Sequence, residues 1–246
     1  MSRSGTTRIG FLVAPGNPTT EPEMYRIAPP GVTVHFTRMV AGSGEPGSHA
    51  GQDARNRSHI AHLDENLELI AAVKPAVVAM AHTATSYTMG REGEAQIVER
   101  LSRAHGFPFI TAFGGVIAAL AHLGAKRVVL GAPYSAEGTQ KSRAHLEAHG
   151  VEVLATAHLE NVGNIYDETS ARALALARQV DRPEAQVVVL SGLGMPSIDI
   201  LAAAEAELGK PVISGAAAML WHALRVAGVA TPIAGCGSLL GAARAT

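Results

Sequence analysis

Apolar residues along this chain fall into two alternating rhythms. Short β-branched runs occur at 8–14, 32–39, 76–81, 109–112, 127–132, 151–157, 186–191 and 211–214. Continuous apolar runs of that length suit strands covered on both faces. Between them lie longer, alanine-rich stretches with helical spacing. Over 58–73, Ile60, Leu63, Leu67, Ile70 and Ala71 recur at three- and four-residue intervals, with Asp64, Glu65 and Glu68 on the other face. Further helices are predicted near 91–105, 115–123, 136–149, 168–180, 196–208 and 216–227. Strand and helix in alternation predict an α/β fold built of βα units around parallel sheets.

The pattern also repeats. Arg8-Ile9-Gly10-Phe11-Leu12-Val13-Ala14-Pro15 matches Arg127-Val128-Val129-Leu130-Gly131-Ala132-Pro133, and Pro108-Phe109-Ile110-Thr111-Ala112 matches Pro211-Val212-Ile213-Ser214-Gly215. The loops after the third strand of each half correspond as well, so the elements recur in order at offsets of roughly 100 to 120 residues. Duplication predicts two pseudo-symmetric lobes, each a parallel four-stranded sheet flanked by helices. The first lobe is read as 1–115 and the second as 116–216, with 217–246 packing back on the first. The glycine- and proline-rich stretch 41–52 has no periodicity and reads as a loop, either a lid or a passive connection.

Composition narrows the class of partner. With 246 residues, 47% of them hydrophobic and 17% charged, the chain can bury a large core. A net charge of −1 leaves no basic surface for nucleic acid, and no block of like charges suggests a membrane patch. The expected partner is a small molecule. A single cysteine, Cys236, excludes an internal disulfide framework and points to a reducing compartment. The apolar run after the amino terminus is too short for a secretory core or a membrane span, so the expected location is cytoplasmic.

Candidate chemistry sits at two strand ends. Ala76-Val77-Val78-Ala79-Met80-Ala81 runs straight into His82-Thr83-Ala84-Thr85-Ser86-Tyr87, and Val187-Val188-Val189-Leu190 into Ser191-Gly192-Leu193-Gly194. Ligands of α/β sheets bind at the carboxyl ends of strands, so these loops form two opposed walls. Among 11 histidines, His82 has the position to give and take a proton near neutrality. His59, His62, His105, His122, His145 and His149 fall on predicted helices and read as solvated or packing residues. Thr83, Thr85 and Ser86 start the loop that enters the next helix, where free N–H groups favour an anion, and neutral donors of this kind bind a carboxylate or a developing oxyanion; helix capping is the alternative role. Asn17, after the first strand, either holds a carboxylate or makes a turn before Pro18. Tyr134 and Asn164 are placed in loops that can reach the same cleft. No phosphate-binding glycine loop, dinucleotide fingerprint or zinc spacing is present, so no cofactor and no metal are expected.

Taken together, the Asn17 loop with Glu21 and Glu23, the His82 loop, Ala132-Pro133-Tyr134, Asn164, the strand leading to Ser191, and Gly235-Cys236-Gly237-Ser238-Leu239-Leu240 resemble the aspartate/glutamate racemase superfamily. The similarity is to its maleate cis-trans isomerase and arylmalonate decarboxylase branch. The resemblance implies a two-lobed α/β fold, no cofactor, a small carboxylate or dicarboxylate held between the lobes, and a homodimer or homotetramer. It places Asn17, Tyr134 and Asn164 as carboxylate-binding positions and Thr83 and Ser86 as oxyanion donors, with Ser191, Gly192 and Leu193 as the second wall. One departure is sharp. Where the family's isomerases and racemases carry a cysteine in each strand-end loop, and its arylmalonate decarboxylases only in the second, this chain has His82 in the first, and Gly192 or Leu193 in the second. Cys236 matches neither position. Without a thiolate to add to an alkene, the favoured expectation is a cofactor-independent lyase, of the decarboxylating or hydration/elimination type, working through an enediolate with His82 as general acid/base. The alternatives are a maleate-type isomerase or racemase, and a non-catalytic carboxylate-binding protein.

Overall fold

The computed structural model describes residues 5–40 and 47–241. Two sheets of four parallel strands carry the chain. In the first, β1 (Thr7–Val13) lies between β2 (Val32–Arg38) and β3 (Val77–Ala81), with β4 (Phe109–Thr111) outside β3. In the second, β5 (Arg127–Ala132) lies between β6 (Glu152–His158) and β7 (Val187–Leu190), with β8 (Val212–Ser214) outside β7. Each strand falls within a residue of its expected bounds, and the identical strand order is the two-lobed α/β architecture the duplication predicts.

The match between halves reaches single residues. Gly10 pairs with Val78 on β3 and Gly131 with Leu190 on β7. A methyl group at Gly10 would lie 2.8 Å from Ile70 Cδ1, and one at Gly131 2.8 Å from Leu176 Cγ. Bare backbone at both places lets α3 (Leu63–Ala71) and α7 (Ser170–Val180) seat a branched side chain on the central strand. The helices that leave β4 and β8, α5 (Ala112–His122) and α9 (Gly215–Val226), start with matching caps. Thr111 Oγ1 accepts from the Gly114 N–H, and Ser214 Oγ from the Ala217 N–H. These two helices pack on each other between the sheets, and α9 also reaches β3. The final α10 (Gly237–Gly241) rests on α9 and on α8 (Leu201–Leu208). One continuous buried cluster joins Ile9 and Phe11 of β1, Val128 and Leu130 of β5, Phe113 of α5 and Leu220 of α9, so the lobes share a core.

Two helices differ from expectation. The helix expected over 58–73 is broken at His62 (φ −106, ψ 18) into α2 (Gln52–Ala61) and α3. α2 begins earlier than its apolar spacing suggests because the face it buries is polar: Arg55, Asn56 and His59. The helix expected from 91 starts at the end of β3, as α4 (Thr83–His105), with a kink at Gly90 (φ 69, ψ 168) that hides its first turns from a periodicity reading. Among the described residues no helix is long and apolar enough to cross a membrane.

Candidate active site

His82 is the residue on which β3 becomes α4; its backbone is extended (φ −155, ψ 107) just before the helix begins. Its ring lines a cleft with Pro15 from the β1 loop, Ser48, Gln52, Arg55, Asn56 and His59 from the segment around α2, and Ile165 and Tyr166 from the second lobe. His59 and His82 meet edge to face with ring centroids 5.4 Å apart. His59 Nδ1 lies 2.9 Å from the Val40 carbonyl, which can only accept, so that nitrogen carries the proton and Nε2 is left as an acceptor. His82 Nδ1 is buried with no hydrogen-bond partner. Burial above all, then the neighbouring His59 and Arg55, pushes His82 from its ordinary 6.5 down to about 3, so the ring is neutral at pH 7.

Arg55 brings a cation into this cleft. The residue is 8% exposed, and its guanidinium donates from Nη1 to the Ala50 carbonyl at 2.6 Å and from Nη2 to the Ser48 carbonyl. Among the described residues the cleft lining holds Arg55, His59 and His82 but no carboxylate. Among the described residues this buried cation is held by carbonyl dipoles alone, a setting that suits an anion.

Beside His82, residues of both lobes meet as a hydroxyl cluster. Thr83 Oγ1 and the Tyr134 phenol are 2.8 Å apart, the Tyr87 phenol and Ser191 Oγ 2.6 Å, and Ser142 donates to the Tyr87 phenol at 3.0 Å. Burial pushes both phenols up, which keeps them protonated. Gly192 sits among them at φ 92; a methyl group there would lie 2.9 Å from Pro133 Cγ and 3.3 Å from the Tyr134 phenol oxygen. Leu193 is buried, and a methyl group on Gly215 would touch both Leu193 Cδ1 and Thr83 Cγ2 at 3.3 Å. Thr83, Tyr134, Ser191, Gly192 and Leu193 therefore converge across the lobes.

Other expected site residues are engaged elsewhere. Asn17 braces the lobes: its Nδ2 donates to the Leu193 carbonyl at 3.1 Å, while its Oδ1 accepts from the N–H groups of Thr19 and Thr20. Ser86 is fully buried and donates to Glu94 Oε1 at 2.7 Å, which commits its hydroxyl away from the cleft and corrects its assignment as an oxyanion donor. Asn164 Oδ1 accepts from the Tyr166 N–H, next to Gly47, whose carbonyl accepts from the Ile165 N–H at 3.1 Å. Residues 41–46 of the expected loop lie outside the described residues; its remainder, 47–51, thus reaches across to the second lobe. Cys236 is buried, burial pushes its thiol up, and it does not line the cleft.

Arg55 and His59 are the cleft-lining residues that apolar periodicity passes over. The signal for them is inverted: the stretch Gln52–Ala61 has no apolar stripe, so a helix formed there must bury Arg55, Asn56 and His59 instead. His59 is 3% exposed, the packing alternative of its two readings, and its ring faces His82.

The architecture and sequence both have known counterparts. The arylmalonate decarboxylase family model matches residues 56–240. The maleate isomerase of Nocardia farcinica is 31% identical over 252 residues, covering 96% of each chain, and the arylmalonate decarboxylase of Bordetella bronchiseptica is 26% identical over 233 residues, 93% of each. A solved structure of a Nocardia farcinica maleate cis-trans isomerase variant with a covalently bound succinylcysteine intermediate superposes with a TM-score of 0.86 at 27% identity, over 96% of this chain and 99% of that one. A family match over most of the chain, with a relative of this identity along nearly its whole length, makes the protein an enzyme of the arylmalonate decarboxylase family, in the branch shared with the maleate isomerases.

Proposed function

We propose that the protein is a cofactor-independent lyase acting on a small dicarboxylate through an enediolate, with His82 moving the proton at the α-carbon. The observation that carries this is the buried, unpartnered Nδ1 of His82 in a cleft whose one charged side chain among the described residues is Arg55. One substrate carboxylate lies at the start of α4, where first-turn N–H groups lack intrahelical partners and the Thr83 and Tyr134 hydroxyls stand 2.8 Å apart. As charge moves onto that carboxylate, these donors stabilise the enediolate. Arg55 takes a second carboxylate that stays on the substrate; holding a departing one would stabilise the ground state and slow its loss. With both carboxylates retained, the group lost from a dicarboxylate is hydroxide, which leaves as water with the proton His82 took; carbon dioxide is lost only where the α-carbon carries a further carboxyl group. In elimination of water, neutral His82 takes the α-proton. In decarboxylation, the imidazolium returns a proton to the enediolate.

The low proton affinity of His82 comes first from burial and then from its neighbours His59 and Arg55. A dianion beside it offsets the like-charge effect of Arg55 and raises the ring toward the neutral range where proton transfer works both ways. The open room in the cleft is about 20 Å³, enough for roughly one water. Substrate entry therefore requires the 47–52 segment to withdraw, and the Ser48 and Ala50 carbonyls to release Arg55 to the incoming carboxylate.

The reading is tested by incubating the enzyme in D2O with substituted malonates, 2-hydroxydicarboxylates and maleate-type acids, followed by proton NMR. The expected result is deuterium at the α-carbon of a decarboxylation or hydration product, or a new alkene from a 2-hydroxydicarboxylate, lost in His82→Ala. Turnover in His82→Ala within about threefold of wild type would overturn the role, since general acid–base groups contribute far more. A second reading, cis-trans isomerisation, draws support from the Nocardia relative. Against it stands the missing thiol in both strand-end loops; formation of the trans alkene without solvent deuterium would establish it.

A further inference from the structure

A second cluster joins the lobes where α4 meets α6 (Ala136–Ala148). Glu94 on α4, His145 on α6 and His149 just past its end each offer one ligand atom, all within 4.8 Å of one another. The outward atoms of Glu94 and His149 are hydrogen-bonded. Ser86 donates to Glu94 Oε1 at 2.7 Å, and Thr111 donates to the same oxygen. His149 Nδ1 donates to the His145 carbonyl at 2.8 Å, which sets its tautomer and leaves Nε2 as a lone pair. His145 Nε2 stands 3.0 Å from Glu94 Oε2. Carboxylates and imidazoles that ligate metals are held in this way, with the non-ligating atom anchored by a hydrogen bond that aims the other.

We infer that Glu94 Oε2, His145 Nε2 and His149 Nε2 form a binding site for one divalent transition-metal ion of the zinc class. Two imidazoles and a carboxylate are a donor set that zinc and cobalt accept at about 2.0–2.2 Å. The ion displaces the proton lying between His145 and Glu94. His149, half-buried at the helix end, closes the remaining distance by turning its side chain. The fourth position opens on a cavity of about 240 Å³ whose wall includes His222, with its Nδ1 buried and unpartnered. None of the residues around that cavity lines the His82 cleft, so the inference stands apart from the lyase reading.

The test titrates the metal-free chain with Co²⁺, reads the visible absorption of four-coordinate cobalt, and then displaces it with Zn²⁺. One Co²⁺ per chain with a tetrahedral spectrum is expected, with affinity at least about tenfold weaker in His149→Ala. Loss of Glu94 or His145 breaks a buried pair and can unfold the chain, whereas His149→Ala leaves that pair in place; its circular dichroism and melting temperature are checked alongside. No Co²⁺ bound by the wild type, or His149→Ala binding within tenfold of it, overturns the site.

Discussion

The two strand-end loops are built on the same frame and carry opposite chemistry. After β3 the chain presents His82, an imidazole with one ring nitrogen left unpaired. After β7 the equivalent turn presents Ser191, already bonded to the Tyr87 phenol, then a bare Gly192 and the apolar Leu193. What the halves keep in common is structural: the strand order, the glycines under Ile70 and Leu176, the caps Thr111 and Ser214. Those positions build the sheets, while the chemistry of each wall is set by its own loop. On the proposed reading, that asymmetry makes the first wall the reactive one and the second a shaped, hydroxyl-bearing backstop.

The hardest test of this asymmetry removes the reactive wall. His82→Asn is expected to lower kcat by about 10²- to 10⁴-fold on a substrate found by the NMR panel, the usual range for a general acid–base group, with the melting temperature held or raised. Ser191→Ala should cost far less. Equal losses from the two substitutions would mean that both walls share the proton transfer, and the comparison would fail.

The same ring should be visible in acid stability. His82 titrates near 6.5 when unfolded but at about 3 when folded. Between those values the unfolded chain binds a proton that the folded chain refuses, so stability falls as pH drops from about 6.5 toward 3, and this contribution is constant above 6.5. His59 and His222, also lowered by burial, act in the same direction, whereas Glu23, raised by burial, acts oppositely. The slope belonging to His82, on the order of a few kcal/mol across the window, is the difference between wild type and His82→Asn in urea midpoints measured against pH. Parallel curves would place the ring in water and remove it from the cleft.

How much of this was legible beforehand follows from what sequence patterns report. Strands buried on both faces read as apolar runs, and all of them could be placed; the duplication is carried by glycines and prolines that backbone geometry demands, at Gly10 and Gly131 most plainly. His82 was legible because it follows a strand without a gap. Arg55 and His59 were not, since they lie on a helix with its polar face turned inward, which inverts the rule that finds helices. The hydroxyl partnerships of Thr83 with Tyr134 and Tyr87 with Ser191 span 51 and 104 residues, and no local pattern encodes contacts of that range. Ser86 shows the converse: its place in the loop is right, but its hydroxyl goes to Glu94 because α4 starts at Thr83 and turns it inward.

Arg55 sharpens the comparison by asking where substrate charge is read. If the first wall moves the proton and α2 supplies the cation, Arg55→Gln should raise KM for dicarboxylates by about 10- to 100-fold, the worth of a hydrogen bond to a charged group, with kcat less affected. A monocarboxylate analogue should bind wild type and variant alike. Arg55→Lys should recover part of the affinity but not the two-pronged geometry. A KM unchanged in Arg55→Gln would return the whole of carboxylate binding to neutral donors.

The smallest effect probes the second wall itself. Gly192 holds φ 92, a conformation side chains rarely adopt, and a methyl group there meets Pro133 Cγ at 2.9 Å and Cδ at 3.0 Å, atoms of a ring that cannot swing aside. Gly192→Ala is therefore expected to cost about 1–3 kcal/mol in chemical denaturation, from backbone strain and crowding together. Gly163→Ala, in open space with nothing within 4 Å, is the control and should stay within about 0.5 kcal/mol. Gly192→Cys carries the same penalty, so returning a thiol to this position should destabilise the chain before it adds any chemistry. A Gly192→Cys enzyme as stable as wild type, with a cysteine that alkylates readily, would show that the second wall has room for a reactive group and that its silence is a matter of residue choice rather than of backbone.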